Sequence, residues 1–236
     1  MRLIIAETGT PPSALPGDWP SYPQMFAAMF ERAKLDFDIE TINVIQGALV
    51  PEPQRGVGLL VTGSPKGVYE DHAFIAPLEA AVRDYAEAGC PVVGICFGHQ
   101  LIARAYGAEV AKSERGWGVG VHTYEIVGET PWQGGPSRFA CAVSHQDQVL
   151  SLPEGFRRVA GSAFTPYGAL AHDSLPLLSF QMHPEFDHDF AAALMQLRAD
   201  RIPADRVDLG QATLRNTSDR AQMAHWIGDF IKNGGR

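Results

Sequence analysis

Pro91-Val92-Val93-Gly94-Ile95-Cys96-Phe97-Gly98-His99-Gln100 is the stretch on which the fold turns. A short apolar run that ends around glycine and passes at once into helix-compatible residues reads as strand, sharp turn, helix. Small residues at Gly94 and Gly98 let such a turn close without Cβ clashes. Cys96 then projects at the mouth of a sheet, where a helix N-terminus favours its thiolate. Two glycines at fixed places arise by chance in about one window in 200, so the frame alone decides little. Cysteine between them, Gln100 beyond, and His183-Pro184-Glu185 far downstream make coincidence remote. A free cysteine is ordinarily a small buried hydrophobe. Cys90 and Cys141 lack the glycine frame, lie among apolar neighbours, and are read as core.

Outward from this turn, Leu3–Ala6, Phe37–Val44, Val57–Thr62 and Pro91–Ile95 read as strands. Between them, Phe26, Met29, Phe30 and Ala33, then Phe74, Leu78, Val82 and Tyr85, recur at helical spacing. Strand–helix alternation predicts an α/β fold with a mainly parallel central sheet and helices on both faces, a three-layer arrangement. Ligands bind such sheets at the carboxyl ends of the strands, where Thr62-Gly63-Ser64 and Cys96 both fall. The second half reads differently. Trp117–Val127, Arg138–Val143, Phe156–Gly161, Tyr167–His172 and Leu177–Met182 are strand-like, predicting antiparallel additions to the same sheet plus a small flanking ribbon. Helix returns at Phe190, Ala193, Leu194 and Leu197. A final helix carries Met223, Trp226, Ile227, Phe230 and Ile231 on one face, with Thr217-Ser218-Asp219 as its expected cap and Gly234-Gly235 as its stop. The whole chain, 1–236, is read as one domain, with 186–236 its C-terminal helical segment. The stretch Thr8–Pro23, with five prolines and two glycines, reads as an irregular loop on the active-site edge.

The chemistry follows from residue types. Cys96 is the candidate nucleophile, His183 the base and Glu185 the carboxylate that orients the base. In an extended segment residues two apart point to the same side, so His183 and Glu185 can lie together. Pro184 between them keeps the segment out of a helix. The oxyanion is expected against the backbone amides of Phe97 and Ser64, with Gly63 allowing the close approach. A donor of this kind is worth about 3–4 kcal/mol of barrier. A metal site at His183, Glu185 and His188 is not expected, since the spacing lacks a zinc framework and would leave the cysteine turn unexplained. His72, His99 and His122 show no partner pattern and are read as structural or solvent-facing.

These motifs, together with Thr62-Gly63-Ser64-Pro65, Gly116-Trp117-Gly118 and Ser144-His145-Gln146-Asp147, resemble the class I glutamine amidotransferases. Within that family the pattern is similar to stand-alone proteins related to the glutaminase domain of GMP synthetase. The resemblance implies a flavodoxin-like fold and ammonia release from glutamine through a Cys-His-Glu triad and a γ-glutamyl thioester. It places Gln100 beside the amino-acid end of the substrate. It assigns Ser144, His145 and Gln146 to a loop whose backbone grips the α-groups, with His145 a pocket residue and not a second base.

Composition narrows the class further. Net charge is −8, from 27 acidic against 19 basic residues, and no cluster of lysine and arginine appears, which argues against nucleic acid. Three unevenly spaced cysteines make no disulfide framework and fit a reducing compartment. No apolar run is long enough for a bilayer, and the N-terminal one is too short for a signal peptide. The expectation is a cytoplasmic enzyme without cofactor or metal. No phosphate-binding glycine loop or ATP-pyrophosphatase loop is present, so two destinations for the ammonia remain open. A free-standing hydrolase of γ-glutamyl amides is the preferred reading, because the C-terminal helical segment occupies the end where a fused synthetase would continue. A glutaminase subunit serving a separate ATP-dependent synthetase is the alternative. An idle binding protein on this fold is the third, and the three occupied triad positions count against it.

Overall fold

The computed structural model of the chain describes residues 1–132 and 134–235. In chain order its strands are β1 (Arg2–Glu7), β2 (Asp38–Asn43), β3 (Val57–Val61), β4 (Val92–Ile95), β5 (Val110–Lys112), β6 (Gly118–Ile126), β7 (Arg138–His145), β8 (Asp147–Val149), β9 (Phe156–Gly161), β10 (Ala169–His172) and β11 (Leu177–Phe180). Its α-helices are α1 (Tyr22–Arg32), α2 (Ile75–Glu87), α3 (Phe97–Ala105), α4 (His188–Leu197), α5 (Ala204–Thr213) and α6 (Arg220–Lys232). Nine strands form one sheet in the order β2-β1-β3-β4-β11-β10-β9-β6-β7. From β2 to β11 the neighbours are parallel. Beyond β11 every pairing is antiparallel. The flanking ribbon is the antiparallel pair β5–β8.

Burial explains why the central strands are apolar throughout: β3, β4 and β11 have no exposed position and are covered on both faces. Alternation along β1 shows the two layers. Leu3 and Ile5 pack with Phe26 and Phe30 of α1 and with α6. Ile4 and Ala6 pack with Leu78 and Val82 of α2 and with Leu101 and Ile102 of α3. Met223, Trp226, Ile227, Phe230 and Ile231 of α6 are all buried in the first layer. Each such side chain contributes about 1.5–3 kcal/mol on burial.

Three sequence expectations need correction, and one helix leaves no signal in the sequence. Leu177–Met182, read among the antiparallel additions, forms β11, which runs parallel to β4. The irregular stretch ends earlier than Pro23, because Ser21 and Gln24 form a capping box and α1 starts at Tyr22, with Pro23 tolerated in its first turn. Asp219 stands at the N-cap position of α6 as expected, but its side chain makes no capping hydrogen bond. Its carboxylate accepts from the Ala140 amide at 2.7 Å, and its own amide donates to the Ala140 carbonyl at 2.7 Å, which ties the helix start to β7. Helix α5 carries no apolar stripe that a sequence pattern could reveal. It buries Val207 and Gly210 alone among its residues and is held by docking on β6.

Candidate active site

Strand β4 ends at Ile95 and α3 starts at Phe97, leaving Cys96 alone in the turn with φ 52° and ψ −98°. Among the described residues, Cys96 and Lys34 are the non-glycine positions with positive φ. Such a conformation costs about 1–3 kcal/mol and persists where surroundings impose it. Here they do. The Cys96 amide donates to the Phe180 carbonyl at 2.8 Å. A Cβ on Gly94 would sit 2.4 Å from the Gly98 carbonyl oxygen, and one on Gly98 would sit 2.4 Å from the Val61 carbonyl oxygen. The helix therefore lies directly on the backbone of β3 and β4, and glycine is what permits that contact.

His183 and Glu185 follow the end of β11. Nδ1 of His183 is 2.7 Å from Oε1 of Glu185, and both side chains are buried. The imidazole stacks on Phe186 with centroids 4.0 Å apart. A Cβ on Gly63 would lie 2.9 Å from His183 Cε1 and 3.8 Å from Cys96 Cβ, so imidazole, cysteine and turn converge on one point. A carboxylate can only accept, so Nδ1 carries the proton and Nε2 is left for Cys96. Burial opposes charge on His183, but Glu185 and then Cys96 outweigh it and push its pKa up, to about 10.

Two neighbours fix this segment. Arg220, from α6, donates to the carbonyls of Pro184 at 3.1 Å and Glu185 at 2.9 Å. The amide of His183 donates to the Ala142 carbonyl of β7 at 2.8 Å.

The turn after β3 is clamped from β1. Thr8 Oγ1 lies 3.0 Å from the carbonyl oxygens of both Thr62 and Gly63, and the Thr8 amide donates to Thr62 Oγ1 at 3.1 Å. The Gly98 amide donates to the Thr62 carbonyl at 3.2 Å, which locks this turn to the start of α3. Phe97 holds the first helical position, whose amide has no acceptor within the helix.

Ser64, Cys96, Gln100, Ser144, His145 and Gln146 border one cleft of about 950 Å³. Gly63, Phe97, His183 and Glu185 are not among the residues that line it. Thr10 to Ser13 of the proline-rich stretch form part of the rim. Gln100 is already engaged, since its Nε2 donates to the Asp147 carbonyl at 2.9 Å and to Gln181 Oε1 at 3.1 Å. His145 is buried with Nδ1 3.2 Å from the Asp147 carbonyl, and burial pulls its pKa down to about 3, so it stays neutral. Of the other histidines, His99 is buried against Ser179 Oγ at 2.8 Å, His122 packs edge-on to Phe164, and His72 pairs with Glu70 at 2.7 Å.

Gln181, whose Nε2 lies 3.6 Å from Cys96 Sγ, is a site residue that the sequence reading misses. The one signal for it is its place two residues before His183 in an extended run. Thr8 and Arg220 carry no comparable signal. Cys90 and Cys141 are buried in the two sheet-covering layers. Among the described residues no three His, Cys, Asp or Glu side chains are grouped to hold a metal ion.

A mixed sheet of this order with a strained cysteine at a strand–helix turn and a His-Glu pair beside it defines an amidotransferase-like α/β protein. The profile of the family "Glutamine amidotransferase class-I" matches residues 21–196, and the chain belongs to that family. It is 38% identical over 160 residues to a subunit of the glutamine-hydrolyzing GMP synthase of Archaeoglobus fulgidus, covering 68% of this chain and 83% of that protein. It is 37% identical over 147 residues to the glutamine-hydrolyzing GMP synthase of Wolinella succinogenes, covering 58% of this chain. There the match spans 26% of the relative's length. In fold it is similar to a glutamine amidotransferase from Thermotoga maritima, with a TM-score of 0.75, 17% identity, and coverage of 100% of this chain and 98% of that one. No helix of the described residues is long and apolar enough to cross a membrane.

Proposed function

We propose that this chain hydrolyses the carboxamide of glutamine or of a γ-glutamyl amide, with Cys96 as nucleophile. The observation that supports this best is the 2.7 Å contact of His183 with Glu185 beside the strained turn of Cys96. In this reading Cys96 Sγ adds to the amide carbon and the C–S bond forms. The carbonyl oxygen takes the negative charge, facing the amides of Phe97 and Ser64. His183 gives the proton on Nε2 to the nitrogen, the C–N bond breaks, and ammonia or an amine leaves. A water then loses its proton to Nε2 and attacks the thioester. The C–S bond breaks, glutamate departs, and the thiolate is restored. Glu185 keeps Nδ1 protonated throughout and supports the imidazolium. Gln181 donates towards the sulfur, and Gln100 holds Gln181.

The test is release of ammonia and glutamate by the purified chain, from glutamine and from N-substituted γ-glutamyl amides. Cys96→Ala is expected to abolish turnover, and His183→Ala with an electrophilic glutamine analogue should show a mass adduct on Cys96. Turnover surviving in Cys96→Ala overturns the assignment. Likeness to a GMP synthase subunit that is a separate protein favours a second reading, in which the ammonia passes to an ATP-dependent synthetase. Activity on glutamine would then be weak in the chain alone and rise when such a partner is added. Cleavage of substituted amides without a partner favours the free-standing hydrolase.

A further inference from the structure

The cleft beside Cys96 is cationic in a chain whose net charge is −8. Lys66, Lys112, Arg115, Arg198, Arg201 and Arg206 border it, against Glu70, Glu114, Asp147 and Asp205. Two of those acids already have partners: Glu70 sits 2.7 Å from His72 Nε2, and Asp147 accepts from the Tyr69 hydroxyl at 3.0 Å. Arg198, just past the end of α4, combines partial burial with a fixed position. Its Nη1 donates to Ser144 Oγ at 2.9 Å, and its guanidinium carbon lies 5.9 Å from the centre of the Trp117 ring.

A guanidinium offers five N–H donors in a planar fork, and among the described residues one of them is used here, on Ser144 Oγ. Among the described residues, no carboxylate oxygen pairs with Arg198 within 4.0 Å. Burial pulls its pKa below the ordinary arginine value, and the neighbouring Arg201 adds to the depression. A partly desolvated cation with no counter-ion costs free energy that a bound anion removes. Planar, forked donors match a carboxylate in particular. Arg198, Arg201 and Arg206 also follow residue 196, where the match to the family profile ends.

We infer that Arg198, held by Ser144 and Trp117, binds a carboxylate of the substrate and so sets specificity in the cleft. This rests on the amide-hydrolase reading above. A γ-glutamyl compound can present that carboxylate in two places: on the glutamyl α-carbon, or on the amine that leaves when the γ-amide is cut. Arg201, Arg206 and Lys112 extend the cationic wall from Arg198 around the cleft.

Two substrate pairs separate these sources. Glutamine and glutamine α-amide differ in the α-carboxylate. γ-Glutamylglycine and γ-glutamylmethylamide differ in the carboxylate of the leaving amine. Arg198→Gln is expected to lower kcat/KM by about tenfold or more on the carboxylate-bearing member of one pair, and far less on its neutral counterpart, since hydrogen bonds to charged groups are the strong ones. Loss within the first pair assigns the α-carboxylate; loss within the second assigns the leaving amine. Arg198→Lys, which keeps the charge and gives up the fork, should fall between. It also serves as the test variant if Arg198→Gln unfolds, in which case it must still discriminate within a pair. An equal loss on all four compounds, or no loss on any, overturns the inference. If the unmodified protein alone cleaves none of them, the free-standing reading fails and the subunit reading stands. The same four compounds are then titrated calorimetrically: a carboxylate-dependent loss of affinity in the variant supports the role of Arg198, and its absence, or no binding at all, overturns it.

Discussion

Replacing Glu185 by Gln keeps volume and one hydrogen bond but removes the charge from a pair that sits 2.7 Å apart and is shielded from water. The amide of the new glutamine can donate to Nδ1, which moves the imidazole proton to Nε2 and leaves Cys96 without an acceptor. In a protease triad, the equivalent acid-to-amide change lowers kcat by about 10⁴, and an effect of about 10²–10⁴ is expected here. The backbone should not move, because Arg220 still holds the carbonyls of Pro184 and residue 185. Loss of a charged hydrogen bond costs about 2 kcal/mol of stability, which at this chain length lowers Tm by about 4–8 °C.

The cost depends on pH in a definite sense. The folded pKa of His183 is raised from its reference of 6.5 to about 10. The pair's contribution is therefore fully present at pH values below 6.5 and is lost as pH rises through about 10, because only the folded state still binds that proton in between. The Tm gap between parent and variant should be widest near neutral pH and below, and close towards pH 10. Ammonia release, iodoacetamide alkylation of Cys96 and thermal unfolding across pH measure all three effects. A kcat within about threefold of the parent, or a Tm gap independent of pH from 6 to 10, refutes the role given to Glu185.

Three other perturbations probe the frame around the site. Arg220→Met should free two buried carbonyls and loosen the His183–Glu185 segment, lowering kcat by about tenfold or more with little change in KM; an unchanged kcat would reduce Arg220 to a packing residue. Gly98→Ala forces a methyl group against the Val61 backbone at 2.4 Å, so thermal unfolding should show a loss of about 1–3 kcal/mol, and a parent-like Tm would deny the close helix–strand contact. Cys90→Ala and Cys141→Ala, at buried positions that do not line the cleft, should keep kcat near the parent in the ammonia assay, and loss of turnover in a folded variant would show that thiol chemistry is not confined to Cys96.

Local patterns make much of this protein legible in its sequence. The glycines around Cys96, the apolar runs of β1, β3 and β4, and the helical stripes of α1, α2 and α6 all report on neighbours close in sequence, and period and turn chemistry encode these directly. His-Pro-Glu is readable for the same reason, since an extended segment puts alternate residues on one side. The resemblance to the class I glutamine amidotransferases is carried by those same local motifs, and membership by the family profile over residues 21–196.

Tertiary structure alone decides the rest. Thr8 meets Thr62 and Gly63 across 54 and 55 residues, Gln181 reaches Cys96 across 85, and Arg198 reaches Ser144 across 54. Asp219 reads in the sequence as a helix cap, yet it pairs with the Ala140 backbone. Helix α5 leaves no periodic trace because most of its surface faces water and its stability comes from the sheet beneath it. A hydrogen bond between distant segments leaves no pattern in either one. What a polar residue does is settled by which strand the fold brings beside it.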